Sequence, residues 1–176
     1  MHTIGVVAPI RIGCKHWKKS GKNIINGRAM LNQDFKEFIE LLNANDARYL
    51  VVGGYAVALY GYPRYTKDLD IWVEMTPANA EKLVSALDQF GFGSLGITPG
   101  DFLEEDQIIQ LGYPPERIDL LTSMPGVAFE ICFESRNQVE IGGVTVNFIN
   151  LQDLIANKRA SGRAQDIADV ENLMEE

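Results

Sequence analysis

The sequence predicts an α/β (α+β) domain, a mixed β-sheet flanked by helices. Three observations carry that expectation. Apolar residues recur at helical spacing in some segments and cluster or alternate as strands in others. The elements run helix, strand, helix, strand, helix, then a series of strands, then helices, an order that suits a mixed sheet. The chain has 176 residues, 46% of them hydrophobic and 23% charged, which suits one domain with ample core material.

Each element has a local cause. Phe35, Phe38, Ile39 and Leu42 recur at helical spacing, so about residues 31–45 read as an amphipathic helix ended by Asn45-Asp46. Tyr49–Val52 is a short apolar strand stopped by Gly53-Gly54, and Tyr55–Tyr60 is a short helix closed by Gly61 and Pro63. Asp68–Glu74 alternates polar and apolar, the mark of a strand with one polar face. Thr76 and Pro77 suit the cap and first turn of a helix running to about Phe90, with Leu83, Val84 and Leu87 inward. Residues 91–106 are glycine-rich and acidic, a loop with one helical turn. Gln107–Leu111 and Arg117–Thr122 read as strands joined through Tyr113-Pro114-Pro115. Gly142-Gly143 between Val139–Ile141 and Val144–Phe148 signals a hairpin. Helices over about 151–161 and 164–174 follow, separated by Gly162.

Charge divides the chain into a basic N-terminal extension, residues 1–29, and a domain, residues 30–176. The extension holds Arg11, Lys15, Lys18, Lys19, Lys22 and Arg28 and no acid. The remainder carries ten basic residues against all 24 acidic ones, a net of −14. That balance disfavours a wide DNA-binding face. The extension reads as a solvated tail in preference to a nucleic-acid arm. A signal peptide fits badly, because the basic residues follow the short apolar run Ile4–Ile10 and Pro9 interrupts it. Met30, where the patterned sequence begins, is a candidate alternative start that the sequence does not decide. Cys14 and Cys132 cannot make a disulfide framework, so a reducing, cytoplasmic compartment is expected. Cys14 and His16 have no second pair of ligands nearby, so zinc is not expected. No run of 18 apolar residues occurs, and no membrane span is expected.

Four features bear chemistry. Gly53-Gly54 stands between a strand and a helix, where glycine lets backbone approach a ligand, although by itself a tight turn with no ligand is the default reading. Asp68 and Asp70 lie two apart on a strand, so both carboxylates share one face with Cα atoms roughly 6.5 Å apart. Such a pair repels itself unless a cation neutralises it, and oxygen ligands suit Mg²⁺ or Mn²⁺. Trp72 on the same face argues against open solvent. Asp119 is an acid within an apolar strand and needs a partner: Arg117, or a metal shared with Asp68 and Asp70. Three such carboxylates suit two cations about 3.5–4 Å apart, the arrangement of in-line phosphoryl chemistry. Lys158 falls on the apolar stripe of its helix and either meets an anion or snorkels to the rim. Arg163 and Asp166 follow, and Asp166 favours a helix N-terminus in any case.

Together these residues resemble the nucleotidyltransferase superfamily that includes DNA polymerase β. The shared pattern is Val51-Val52-Gly53-Gly54, thirteen residues, Asp68-Leu69-Asp70-Ile71, and later Asp119. The closer likeness is to the small bacterial branch near AbiEii-like toxins. Gly61-Tyr-Pro-Arg64-Tyr-Thr66-Lys-Asp68 and Asn157-Lys158-Arg159-Ala-Ser-Gly162-Arg163-Ala-Gln-Asp166-Ile-Ala-Asp169 carry it, over about residues 32–174. The resemblance implies a nucleotidyltransferase fold and transfer of NMP from an NTP to an acceptor hydroxyl on RNA, protein or a small molecule, with release of pyrophosphate. It implies Mg²⁺ or Mn²⁺ on Asp68, Asp70 and Asp119. Gly53, Gly54, Arg64, Thr66, Lys158 and Arg163 would bind nucleotide, with Lys158 on the triphosphate. Asp166 would orient Lys158 or the acceptor. The rival expectation is a catalytically silent nucleotide- or partner-binding module, for example of a toxin–antitoxin pair. A metal phosphohydrolase using the same acids is a third.

Overall fold

The structure, a computed structural model, describes residues 2–4, 24–25, 28–29, 32–64, 66, 68–113 and 117–175. Cys14, His16, Met30 and the Pro114-Pro115 junction lie outside the described residues. Three short strands come first: β1 (His2–Ile4), β2 (Ile24–Ile25) and β3 (Arg28–Ala29). Next are α1 (Gln33–Ala44), β4 (Tyr49–Val51), α2 (Gly53–Leu59), β5 (Asp68–Val73) and α3 (Pro77–Phe90). The second half holds β6 (Gln107–Leu111), β7 (Arg117–Leu121), α4 (Phe129–Glu134), β8 (Asn137–Ile141), β9 (Val144–Phe148), α5 (Leu151–Ser161) and α6 (Ala164–Leu173). Among the described residues, no helix is long and apolar enough to cross a membrane.

Among the described residues, seven strands form one mixed sheet in the order β1-β6-β7-β5-β4-β9-β8, and β2 and β3 make a separate antiparallel ribbon. Pairs β5–β7, β4–β9 and β1–β6 are parallel, and β4–β5, β6–β7 and β8–β9 are antiparallel. The α/β (α+β) expectation of a mixed sheet flanked by helices holds. The central strands are buried on both sides, with Tyr49, Leu50, Val51, Leu69, Ile71 and Val73 at 0% exposure, as strands covered on both faces require.

Helix α1 buries Phe35, Phe38, Ile39 and Leu42, and Asn32 caps it by accepting from the Phe35 amide at 2.7 Å. Helix α3 begins at Thr76, which accepts from the Asn79 amide, with Pro77 in its first turn, and Gly91 closes it in the left-handed region. Strands β8 and β9 flank Gly142-Gly143, both at positive φ, as the hairpin signal requires.

The structure differs from the sequence expectation in four places. Helix α2 begins at Gly53 rather than Tyr55, so the diglycine is its first turn as well as the strand's stop. Helix α4 was not expected, because six residues are too few to display a helical period. Its Phe129 ring meets Trp72 edge-on at 5.1 Å and stacks on Phe133 at 5.6 Å. Residues 91–106 contain two short 3₁₀ turns, Gly93–Leu95 and Pro99–Phe102, rather than one helical turn. Finally, residues 1–29 are not wholly a solvated tail: His2–Ile4 pair in parallel with Gln107–Ile109. That pairing covers an edge that β6 would otherwise leave open.

Asn79 ties the start of β4 to the end of β5. It is buried; its Oδ1 accepts from the Arg48 amide at 2.7 Å, and its Nδ2 donates to the carbonyls of Arg48 and Glu74, both at 3.0 Å. Asn79→Ala strands three backbone groups and should cost about 2 kcal/mol in urea denaturation. A loss under about 0.5 kcal/mol would show that water takes over these bonds.

Candidate active site

The site begins with the register of β5 against β7. Asp68 lies beside Arg117 and Asp70 beside Asp119, so the acid pair and the third acid share one face of neighbouring parallel strands. Leu69, Ile71 and Val73 anchor β5 on the other face, and Trp72 is buried on the acid face, as expected. Arg117 meets Asp119 at two points, Nε to Oδ1 at 2.6 Å and Nη2 to Oδ2 at 2.8 Å. The same Nη2 reaches Asp68 Oδ2 at 2.7 Å. The alternative of an Arg117–Asp119 salt bridge is therefore present, and it extends to Asp68. Burial, then the charges of Asp119 and Asp68, push the Asp70 carboxyl up to about 7, while the Gly54 amide and Arg117 pull the other way.

The diglycine turn packs directly on these acids. Gly53 has φ +59°, and a β-carbon there would stand 2.0 Å from Asp70 Oδ2. A β-carbon at Gly54 would stand 2.7 Å from Thr66 Oγ1. Close approach therefore explains both glycines: Gly53 lies against a carboxylate of this chain and Gly54 against the Thr66 hydroxyl. Thr66 Oγ1 in turn donates to the Asp68 carbonyl at 3.2 Å.

The opposite wall is cationic. Lys158 points inward and is nearly inaccessible, with Nζ 2.9 Å from Asp166 Oδ1 and 2.7 Å from Asp169 Oδ2. It meets anions rather than snorkelling. Arg64 grips Asp169 through Nε at 3.1 Å and Nη2 at 3.2 Å, and Arg163 Nε holds Asp166 Oδ2 at 2.6 Å. Burial pushes both carboxyls up, but their bonds outweigh it and hold both below the ordinary value. Arg163 and Lys158 do this for Asp166; Lys158, Gln165 and Arg64 do it for Asp169. Helix α5 is pinned beside the end of β7: Asn157 Nδ2 donates to the Pro125 carbonyl at 3.0 Å, and Gly126 lies against Ala156 and Ala160.

Both walls line one cleft of about 680 Å³. Gly53, Gly54, Arg64, Thr66, Asp68, Asp70, Asp119, Lys158, Arg163 and Asp166 all border it. Two residues outside that set belong to the arrangement. Arg117 also borders the cleft and bridges two of its acids. Asp169, not singled out from the sequence as a site residue, is the second anion on Lys158. Its signal was available: Asp166, Asp169, Val170 and Leu173 form the buried stripe of α6, and acids on such a stripe need a buried cation.

The donor chemistry of Asp68, Asp70 and Asp119 suits a hard divalent cation, since all three offer oxygen and crowd one another electrostatically. As they stand, no three acid, histidine or cysteine side chains among the described residues are arranged to hold a metal ion. Arg117 lies between Asp68 and Asp119. The guanidinium there engages the carboxylate oxygens that a cation would take.

Two outcomes test this geometry. The folded state keeps the Asp70 proton up to about pH 7, whereas the unfolded chain releases it near its ordinary 3.8. The folded state thus binds more protons between those values, and stability from this group falls as pH rises from about 4 to 7. In EDTA, Asp70→Asn should flatten that decline and raise stability at pH 8; an unchanged profile would contradict the crowding. Lys158→Met removes the shared partner of two buried carboxylates and should cost about 3 kcal/mol by chemical denaturation. A near-neutral result would show that Arg64 and Arg163 suffice.

A family model described as "Nucleotidyltransferase of unknown function (DUF6036)" matches residues 29–174. No curated protein matches the sequence. Among solved structures, the chain is similar to the crystal structure of an antigenic nucleotidyltransferase-like protein from Paracoccidioides brasiliensis. The two share 16% identity with a TM-score of 0.46, over 82% of this chain and 78% of that one. The family match takes in the diglycine turn, both acid-bearing strands and the two terminal helices, and the chain belongs to this family of nucleotidyltransferases of unknown function.

Proposed function

We propose that this protein transfers a nucleoside monophosphate from an NTP to an acceptor hydroxyl, using Mg²⁺ or Mn²⁺ held by Asp68, Asp70 and Asp119. The observation that supports the reading is one cleft lined by both kinds of charge: three carboxylates on β5 and β7, Arg163 just before α6, and Arg64 in the segment after α2. An acidic wall suits a metal and a basic wall suits phosphate oxygens.

The acceptor oxygen would attack the α-phosphorus, the bond to the bridging α–β oxygen would break, and pyrophosphate would leave. The acceptor proton would pass to the Asp119 carboxylate. The divalent cation would supply charge neutralisation on the phosphates. The Gly53 turn keeps the Asp70 carboxylate against the backbone, and the Gly54 amide hydrogen-bonds it. Rate would come from positioning and electrostatic stabilisation.

The basic wall divides its labour. Lys158 is buried between two aspartates, so pulling it toward a triphosphate would leave both short of a partner. The Arg163 side chain is 78% exposed and that of Arg64 33%, so these guanidiniums reach a phosphate at lower cost. The triphosphate contact implied for Lys158 is therefore assigned to Arg163 and Arg64, with Lys158 setting the position of Asp166 and Asp169. The acceptor remains a class, an RNA end, a protein or a small molecule. A toxin–antitoxin pair, implied by the resemblance of the 61–68 and 157–169 motifs to AbiEii-like toxins, belongs to the silent-module reading.

One observation favours the silent-module reading: Arg117 already compensates Asp68 and Asp119 without an ion. A thermal-shift series with each NTP, with and without Mg²⁺, separates the two. Metal-dependent stabilisation by an NTP supports transfer, and stabilisation by none supports the silent module. With α-labelled NTP and an acceptor-containing lysate, Asp68→Ala should reduce labelling by at least about 100-fold with the fold intact. Unchanged labelling would end the assignment, and orthophosphate in place of pyrophosphate would mark a phosphohydrolase.

A further inference from the structure

We infer that Arg117 is a tethered cation that holds the acid cluster together without metal and swings off Asp68 when a divalent cation enters. This rests on the reading above, in which a divalent cation is what these carboxylates take. Three observations support it. The guanidinium has a two-point hold on Asp119 but a single contact with Asp68, through an Nη2 shared between the two acids. Asp119 is the more buried anchor, its side chain 9% exposed, whereas that of Asp68 is 27% exposed. Because Nη2 serves both acids, release of Asp68 gives up the Nη2 bonds while Nε stays on Asp119 Oδ1, which needs a side-chain rotation, frees Asp119 Oδ2 for the metal and moves neither paired strand. Finally, three acids lie at or beside registered positions of β5 and β7, and the oxygens of two of them that a cation would take are engaged by the guanidinium.

The competition has a direction. Guanidinium and metal seek the same carboxylate oxygens, so Arg117 lowers the affinity for free metal while stabilising the metal-free fold. A metal that arrives with an NTP brings phosphate oxygens that accept the released guanidinium. Metal uptake is then coupled to nucleotide, and the free protein does not hoard the ion.

The test is Mn²⁺ binding, read by electron paramagnetic resonance of the free ion, to wild type, Arg117→Met and Arg117→Lys, with and without a non-hydrolysable NTP analogue. Arg117→Met should bind free Mn²⁺ at least about tenfold more tightly than wild type, the scale on which a neighbouring arginine shifts a carboxylate's proton affinity. The analogue should tighten Mn²⁺ binding in wild type and do so less in the variant. Arg117→Lys keeps the charge but not the fork that spans two carboxylates, and should fall between them. It also keeps the proposal testable should Arg117→Met fail to fold in EDTA. In thermal unfolding, Arg117→Met should melt below wild type in EDTA and gain more from Mn²⁺. Equal Mn²⁺ affinity across the three proteins overturns the role of Arg117 and leaves nucleotidyl transfer standing. No Mn²⁺ binding by any of them, with or without the analogue, overturns both.

Discussion

The parallel pairing of β5 with β7 sets Asp70 beside Asp119 and Asp68 beside Arg117, and the site follows from that register. A slip of one residue would turn Asp119 to the other face of the sheet, because side chains alternate along a strand. The apolar residues of β7 exclude the slip, since it would bring Ile118 and Leu120 out of the core. Hydrophobic burial thus forces three carboxylates together. Every other feature of the acidic wall answers that crowding: the Arg117 fork, the proton that Asp70 retains, and a turn in which only glycine fits against the Asp70 oxygen.

The basic wall solves a different problem with the same means. Lys158 and its two aspartates lock α5 to α6 at the border of the cleft, while Arg64 and Arg163 saturate the outer oxygens of those aspartates. The result is a graded set of cations, from a buried lysine that holds structure to an exposed arginine that can be lent to a ligand. Both walls reach the same cleft because the segment after β7 is fastened to α5 by Asn157 and Gly126. Structure and proposed function meet at that junction, since a looser α5 would carry the arginines away from the carboxylates.

Much of this was legible in the chain, and the reasons differ by residue. Helices α1 and α3 declared themselves through long apolar stripes and caps, and β5 through its alternation. The ten site residues read from spacing, inward-facing charge and resemblance border one cleft, because a charge placed on an apolar face has few places to go. What stayed hidden depends on contacts between distant segments. That Arg117 reaches Asp68 requires knowing that β7 pairs with β5, across 49 positions of sequence. The proposed transfer of the triphosphate contact from Lys158 to Arg163 and Arg64 has the same origin, because the burial of Lys158 between Asp166 and Asp169 is seen only when α6 folds back on α5. Helix α4 was invisible because its six residues are held by Trp72 and Arg48 rather than by any period of their own. The pairing of His2–Ile4 with β6 shows the same limit, since a strand that covers an edge takes its cue from the edge.

The most direct test of the central claim is a crystal structure with Mn²⁺ and a non-hydrolysable NTP analogue, read through anomalous difference density. The account predicts a metal peak on the Asp68 and Asp70 carboxylates, with the triphosphate lying between that peak and Arg163. Nucleotide bound elsewhere, or bound in the cleft with no metal on these aspartates and Arg117 still on Asp68, would contradict it.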